Sequence, residues 1–227
     1  MGLGISLEKT SHDNAKLGVP DIVLLRRIHH DRLMRRFGLS AVDPLPSSTH
    51  IVHFYQHGKD LLEIYAYFCC AGLEDGDCCF WITAPPWTTG LALHELGKML
   101  PAVDQYTESG QLRLLPSEEL YLARDTLDVD GTLARALRHL QEARGQGWSR
   151  IRACGSPFRG GSDREWSACL QYEEQIHHMV MEMDVFVLCA YRLSGLSDET
   201  KDGLLQTHHM ALERQGDGWR YGPTLPQ

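Results

Sequence analysis

Strand-like and helix-like segments alternate along most of this chain, and this alternation constrains the possible folds more than any other feature. After residue 48, a short apolar segment and an amphipathic segment follow one another five times. Such a pattern is typical of a mostly parallel sheet with right-handed crossovers and helices on both faces. The predicted strands are 50–55, 77–83, 111–115, 150–154 and 184–191, and the predicted helices are 59–71, 88–100, 132–144, 163–179 and 198–208.

The two ends of the chain depart from this alternation. Near the C-terminus, a Gln-Gly-Asp-Gly sequence predicts a hairpin between strands 212–214 and 219–221. Near the N-terminus, apolar spacing predicts a basic helix over 22–37, and the Pro- and Ser-rich sequence after it predicts a linker. We therefore predict an N-terminal arm over residues 1–47, followed by an α/β domain over residues 48–222.

Net charge and apolar run length narrow the possible partners. The formal net charge is −8, which argues against non-specific binding to nucleic acid or to anionic membranes. The five arginines of the predicted helix over 22–37 are interpreted as a solvated or subunit-facing surface, with DNA binding as the less favoured alternative. No apolar run approaches the ~18–20 residues that cross a bilayer, and the N-terminus lacks an apolar signal-peptide core. We expect a cytoplasmic protein with no membrane partner.

Three of the cysteines are interpreted as packing residues. The chain has seven cysteines, an odd number, and thiols in a reducing compartment normally stay free. Cys78, Cys79 and Cys189 lie in apolar strand-like segments, where a free cysteine behaves as a small hydrophobic residue. We therefore expect these three thiols to be buried and chemically inert.

The turn after the second predicted strand bears on nucleotide chemistry. A phosphate loop needs several glycines, whose backbone amides surround the phosphates, and a Lys followed by Ser or Thr. Residues 84–90 contain one Gly, two prolines and no Lys. The architecture suggests a nucleotide-binding fold, but the phosphate-binding chemistry is missing from this turn. We interpret this as evidence for sensing or scaffolding rather than catalysis.

A series of short motifs in a fixed order resembles the MEDS domain, a sensory domain first described in methanogens and in the methylotroph dichloromethane regulator. The resemblance extends from about His50 to Tyr221. The segment after Gly155 departs from the family pattern, which implies an altered ligand wall there. The matching residues are 50–55 (His-Ile-Val-His-Phe-Tyr), Gly72-Leu73, Gly76-Asp77, 79–82 (Cys-Phe-Trp-Ile), 152–155 (Arg-Ala-Cys-Gly), Tyr172-Glu173, 188–191 (Leu-Cys-Ala-Tyr), Leu205 and Thr207-His208.

This resemblance implies both a fold and a role. The fold is a RecA-like three-layer α/β sandwich with a mostly parallel central sheet and no phosphate loop, here preceded by the N-terminal helical arm. The role is ligand sensing in bacterial or archaeal signalling, for which small hydrocarbon derivatives have been proposed as ligands. Family members occur with DNA-binding or kinase-type output domains, so a regulatory or output protein is the expected partner. A homo-oligomer is also left open.

Several candidate ligand-binding residues fall near the carboxyl ends of the predicted strands, where parallel α/β folds bind their ligands. Aromatic side chains in such a cleft bind apolar or planar molecules. For Trp87, which follows two prolines, pocket and core roles are equally favoured. Glu173 is either an exposed partner of His177 or a buried carboxylate that holds a ligand. The candidate ligand-binding residues are Tyr55, Trp87, Thr88, Cys154, Phe158, Glu173 and Tyr191.

A metal site is a weaker candidate. Cys169, Glu173 and His177 recur at i, i+4 and i+8 along one face of a predicted helix. His208 or His50, arriving from elsewhere, would complete a zinc or iron site. No Cys-x-x-Cys or His-Glu-x-x-His pattern supports this site, so packing or hydrogen bonding is favoured for these residues. The cofactor, if there is one, is unknown from the sequence.

The favoured function is a non-catalytic small-molecule sensory domain that passes ligand binding to a partner. No Gly-x-Ser-x-Gly nucleophile elbow is found, and we expect no enzyme activity beyond weak nucleotide hydrolysis. Two alternatives stay open. One is a degenerate RecA-like nucleotide-binding protein, and the other is a metal or haem sensor that uses His and Cys residues.

Overall fold

A seven-stranded sheet forms the centre of the structure, a computed structural model that describes residues 34–121, 127–157 and 162–224. A two-stranded hairpin, β1 (Met34–Arg35) and β2 (Leu45–Pro46), precedes this sheet. The strands of the sheet are β3 (His50–Tyr55), β4 (Cys78–Thr83), β5 (Leu112–Pro116), β6 (Ile151–Gly155), β7 (Val185–Arg192), β8 (Met210–Gln215) and β9 (Gly218–Pro223). The helices are α1 (Gly58–Glu74), α2 (Thr89–Met99), α3 (Val103–Glu108), α4 (Ser117–Tyr121), α5 (Val129–Gly145), α6 (Asp163–Met183) and α7 (Asp198–Gln206).

The strand order in the sheet is β5-β4-β6-β7-β3-β8-β9. All neighbouring pairs are parallel except β8 and β9, which form an antiparallel hairpin at one edge. The predicted class, α/β with a mostly parallel sheet, is therefore confirmed. The register places Tyr55 at the end of β3 beside Arg192 at the end of β7, so both residues reach the carboxyl edge of the sheet.

Helices cover both faces of the sheet and give three layers. Successive side chains of a strand point to opposite faces. In β3, Ile51 belongs to the core that α1 and α2 cover, whereas Val52 and Phe54 belong to the core that α5 and α6 cover. Each strand thus contributes apolar side chains to two cores, which explains why the strand sequences are almost continuously apolar.

The chain before β3 differs from the prediction. The predicted helix over 22–37 is wrong at its C-terminal end, because Met34–Arg35 is a strand that pairs with β2. The rest of that helix lies outside the described residues. The predicted linker is also wrong, because it contains β2. Phe37 is fully buried, with its ring 5.4 Å from that of Phe68. Such contacts with α1 override the helical spacing of the local sequence.

A buried carboxylate, that of Asp77, gathers three arginines near the amino edge of the sheet. Arg152 donates a hydrogen bond from Nε to Asp77 Oδ2 at 2.8 Å. Arg150 Nε lies 2.7 Å from Oδ1, and Arg35 Nη1 lies 3.9 Å from Oδ2. The Arg152 side chain also crosses Gly72, where a Cβ would lie 2.2 Å from Nε, so a larger residue does not fit there. This ion cluster joins β1 and α1 to the starts of β4 and β6.

We expect Asp77→Asn to lower the free energy of unfolding by about 3–5 kcal/mol, because the buried Arg152 would lose its compensating charge. Urea denaturation followed by circular dichroism measures this loss. Asp75→Asn is the matched control. Asp75 pairs with the half-exposed Arg36, and a solvent-exposed pair of this kind contributes less than about 1 kcal/mol. Equal losses in the two variants would contradict a special role for the buried cluster.

Candidate functional site

A cleft of about 500 Å³ opens at the carboxyl edge of the sheet. The strands β3 and β7 are neighbours, but the chain leaves β3 towards β4 and leaves β7 towards β8, in the opposite direction. Neighbouring strands whose connections leave in opposite directions create the crevice in which α/β proteins bind ligands. The lining residues include Tyr55, Gly58, Pro85, Pro86, Trp87 and Arg192.

Trp87 forms one wall of this cleft and contacts the start of α1. Its backbone N–H donates to Ala84 O at 2.8 Å and closes the turn after β4. Its indole lies against the first residue of α1, since a Cβ on Gly58 would lie 1.9 Å from Trp87 Cζ2. Trp87 is partly buried and also packs against the core beneath α1 and α2. The pocket and core roles considered for Trp87 therefore coincide.

The turn after β3 carries a motif that the sequence analysis missed. Gly58, Lys59 and Asp60 occupy the strand-to-helix position where a phosphate loop ends in Gly-Lys followed by Ser or Thr. The first Gly of that pattern would fall at His53, and Asp60 replaces the hydroxyl that binds Mg²⁺. A Gly-Lys pair that follows an apolar strand after two intervening residues was the available signal. Residues 53–60 therefore match part of the phosphate-loop pattern, whereas residues 84–90 contain no Gly-Lys pair.

The other residues predicted to bind ligand near this edge have different environments. The Thr88 hydroxyl accepts a hydrogen bond from Leu91 N at 3.3 Å and caps α2. Cys154 is fully buried, with its Sγ 3.6 Å from that of Cys69. Phe158 lies outside the described residues. Neither Thr88 nor Cys154 is among the described residues that line the cleft.

A second set of polar side chains is buried between the sheet and α6. This His–Glu–Cys cluster consists of His50, Glu173, Cys189 and His208, all of them almost inaccessible to solvent. His50 Nε2 lies 3.2 Å from Glu173 Oε2 and 3.5 Å from Cys189 Sγ. His208 Nε2 lies 3.5 Å from the same carboxylate oxygen. Tyr191 donates its hydroxyl hydrogen to the other oxygen, Glu173 Oε1.

Burial opposes charge throughout the His–Glu–Cys cluster. Desolvation lowers the pKa of His50 and of His208 to about 3, so both imidazoles are neutral near about pH 7. The same desolvation raises the pKa of the Glu173 carboxyl and raises that of the Cys189 thiol well above its ordinary value. A charged form in this place needs a compensating charge close by.

The metal candidates from the sequence are only partly brought together. Glu173 and His208 lie in the cluster with His50, one of the two histidines expected from elsewhere. Cys169 does not belong to it, but its Sγ lies 3.3 Å from the Tyr191 hydroxyl. His177 is half-buried, and its ring centroid lies 4.4 Å from that of His209. The cysteine in the cluster is Cys189, which the sequence analysis interpreted as packing.

The fold and the incomplete match to the phosphate-loop pattern define the class, a RecA-like α/β domain in which residues 53–60 lack the first Gly and the hydroxyl residue of that pattern. The family model of MEDS, the methanogen/methylotroph, DcmR sensory domain, matches residues 49–209. The chain therefore belongs to the MEDS family, and this membership indicates a sensory role. No curated protein sequence matches the chain.

Solved structures of ATPase-type folds are similar to this one. An ATPase domain matches with a TM-score of 0.61 and 10% identity, covering 88% of this chain and 84% of its own. A KaiC-like protein from Pyrococcus horikoshii matches with a TM-score of 0.48 and 13% identity, covering 84% and 81%. The flagellar accessory protein FlaH from Methanocaldococcus jannaschii matches with a TM-score of 0.47 and 12% identity, covering 83% and 85%. At such identity the likeness to the ATPase domain concerns the fold alone. None of the described helices is long and apolar enough to cross a membrane.

In the folded protein near about pH 8, we expect Ellman's reagent to detect less than about one equivalent of thiol per chain, out of seven. All seven cysteines are buried and free. Burial also raises the pKa of Cys78 to about 11 and that of Cys70 to about 12, which suppresses the reactive thiolate. All seven should react in guanidinium chloride, which is the control. Rapid reaction of one thiol in the folded protein would contradict the packing interpretation.

Proposed function

We propose that this chain is a non-catalytic sensory domain that binds a small, largely apolar molecule in the cleft at the carboxyl edge of the sheet. One observation carries the proposal: the Trp87 indole lies against Gly58, at the turn where a phosphate loop would need exposed backbone amides. An aromatic side chain at that position favours a different class of ligand. The sensory role of the family is consistent with this proposal.

The chemistry of the lining selects the ligand. Tyr55, Leu61, Trp87 and two prolines offer mostly apolar surface, which suits aliphatic or planar molecules. Arg192 supplies a positive charge at the exposed rim. The ligand we propose is therefore small and apolar, with room for one anionic group facing Arg192.

The cleft is joined to elements that can pass a signal to a partner. Tyr55 and Arg192 end two neighbouring strands, and Trp87 lies one residue before the N-cap of α2. A ligand that displaces the indole from Gly58 changes the packing between the start of α1 and the turn that leads into α2. We propose that a regulatory or output protein, or a second copy of the chain, reads this change.

We expect 8-anilinonaphthalene-1-sulfonate, an apolar and planar anion, to bind the cleft, and Trp87→Ala to weaken its binding about tenfold. Loss of one aromatic contact costs about 1.4 kcal/mol on the scale of measured aromatic pairs. Fluorescence titration measures the change, and circular dichroism checks that the variant is folded. Tyr221→Ala, which removes an exposed aromatic residue on β9, is the matched control. Unchanged binding in folded Trp87→Ala protein would contradict the proposed site.

A second candidate, nucleotide binding, is favoured by the Gly58-Lys59 pair. We expect ATP with Mg²⁺ to leave the melting temperature of the wild-type protein unchanged, because Trp87 covers Gly58 and Asp60 replaces the Mg²⁺-binding hydroxyl. A differential scanning fluorimetry titration checks this, since a ligand at 100 times its Kd would stabilise the fold by about 2.7 kcal/mol. A concentration-dependent rise that Lys59→Ala abolishes would favour the nucleotide-binding alternative over the proposed function.

A further inference from the structure

In the His–Glu–Cys cluster, two imidazole nitrogens face one carboxyl oxygen of Glu173. His50 Nδ1 lies 3.0 Å from Thr207 O, and His208 Nδ1 lies 2.7 Å from Leu204 O. A carbonyl oxygen only accepts, so in each ring the proton must be on Nδ1 while the imidazole is neutral. Both Nε2 atoms therefore direct a lone pair towards the Glu173 carboxylate.

When Glu173 is ionised, its carboxylate adds a third acceptor to the two nitrogens. Within the described ranges, Glu173 Oε2 and His208 Nε2 have no hydrogen-bond partner. Oε2 lies 3.2 Å from one imidazole nitrogen and 3.5 Å from the other. The Cys189 thiol, 3.5 Å from His50 Nε2, has one proton and can satisfy only one acceptor. Buried acceptors left without a donor are costly, and a cation would satisfy them once the stacked imidazole rings, 3.8 Å apart, turn their lone pairs onto it.

We infer that His50, Glu173, Cys189 and His208 bind a divalent transition metal ion, with Zn²⁺ as the best chemical match. Zinc is held by imidazole nitrogen, thiolate sulfur and carboxylate oxygen, four at a time in a tetrahedron. With its usual bond lengths, neighbouring donor atoms are about 3.3–3.6 Å apart. Three of the six donor separations in the cluster are 3.2, 3.5 and 3.5 Å, and the other three are no longer than 4.8 Å, so a modest contraction would complete the tetrahedron.

The surroundings of these four residues resemble the outer shell of a metal site. Ligating histidines usually donate their second N–H to a carbonyl oxygen, and ligating carboxylates are themselves hydrogen-bonded. The backbone acceptors of both histidines and the Tyr191 hydroxyl meet these requirements. Metal binding would release the Cys189 proton, and the bound charge would stabilise the resulting thiolate.

The number and burial of the ligands assign a structural rather than catalytic role to the metal. Four protein ligands fill a tetrahedral site and leave no position for water or substrate. The ligands come from β3, α6, β7 and the residues after α7, so the ion would join one helix and the segment after α7 to two central strands. The half-buried His177 and His209 lie beside the cluster, with the His177 ring centroid 6.0 Å from that of His50, and they mark the side from which an ion would enter.

Metal analysis of the full chain tests the site. Untagged protein is purified from a zinc-supplemented culture, and its metals are measured by mass spectrometry. We expect about one equivalent of zinc in the wild type, less than about a tenth in His208→Asn and Glu173→Gln, and full content in the control His178→Asn, which changes an exposed histidine on α6. Trp87→Ala in the cleft should keep its zinc, so failure of the ligand proposal would be separate from failure of this one.

Cobalt substitution tests the ligands in protein that remains folded. Co²⁺ bound to a thiolate gives a sulfur-to-cobalt charge-transfer absorption. We expect this absorption in the wild type and in Cys169→Ser, and its loss in Cys189→Ser. The two thiols are equally buried, so a general packing defect would affect both variants. Wild-type protein that takes up neither zinc nor cobalt would overturn the inference and leave a protonated Glu173 hydrogen-bonded to one imidazole. Equal spectra from both cysteine variants would also overturn it.

Discussion

The charge of Asp77 is the constraint on which the arrangement of the described chain depends most. A carboxylate taken out of water needs ionic partners, and Arg35, Arg150 and Arg152 supply them from distant parts of the sequence. Satisfying this one charge fixes β1, β4 and β6 relative to one another. It also requires Gly at position 72, beside which Arg152 passes. The ion cluster lies at the amino edge of the sheet, and the cleft lies at the opposite, carboxyl edge.

Much of the fold could be predicted because it is encoded locally. For the strands of the main sheet and for the long helices that pack on it, the predicted and observed bounds differ by only a few residues. Apolar periodicity marks each of these elements. The elements that were missed are short, such as Val103–Glu108, and give no periodic signal. The segment at Arg35 and Phe37 was misread because its conformation depends on Asp77 and Phe68, which are far away in the sequence.

The candidate sites were less predictable for a related reason. Helical spacing selected Glu173, which lies in the cluster, but it also selected Cys169 and His177, which do not. The actual neighbours of Glu173 are His50, Cys189 and His208, brought together by three other parts of the chain. Spacing along one element does not reveal such a meeting. The family motifs around residues 50, 173, 189 and 208 contained these residues without indicating that they touch.

The position of Trp87 against Gly58 bears on how sensitive the proposed site would be. In that site the indole moves off Gly58 to stack on the incoming molecule, so its resting contact with Gly58 opposes binding while its contact with the ligand favours it. The apparent dissociation constant then equals the intrinsic one divided by the fraction of molecules in which the indole has moved away. The turn that contains Pro85 and Pro86 positions Trp87 and would set that fraction. In the proposed sensor, the concentration at which the domain responds would then depend on the stiffness of this turn, separately from the contacts that choose the ligand.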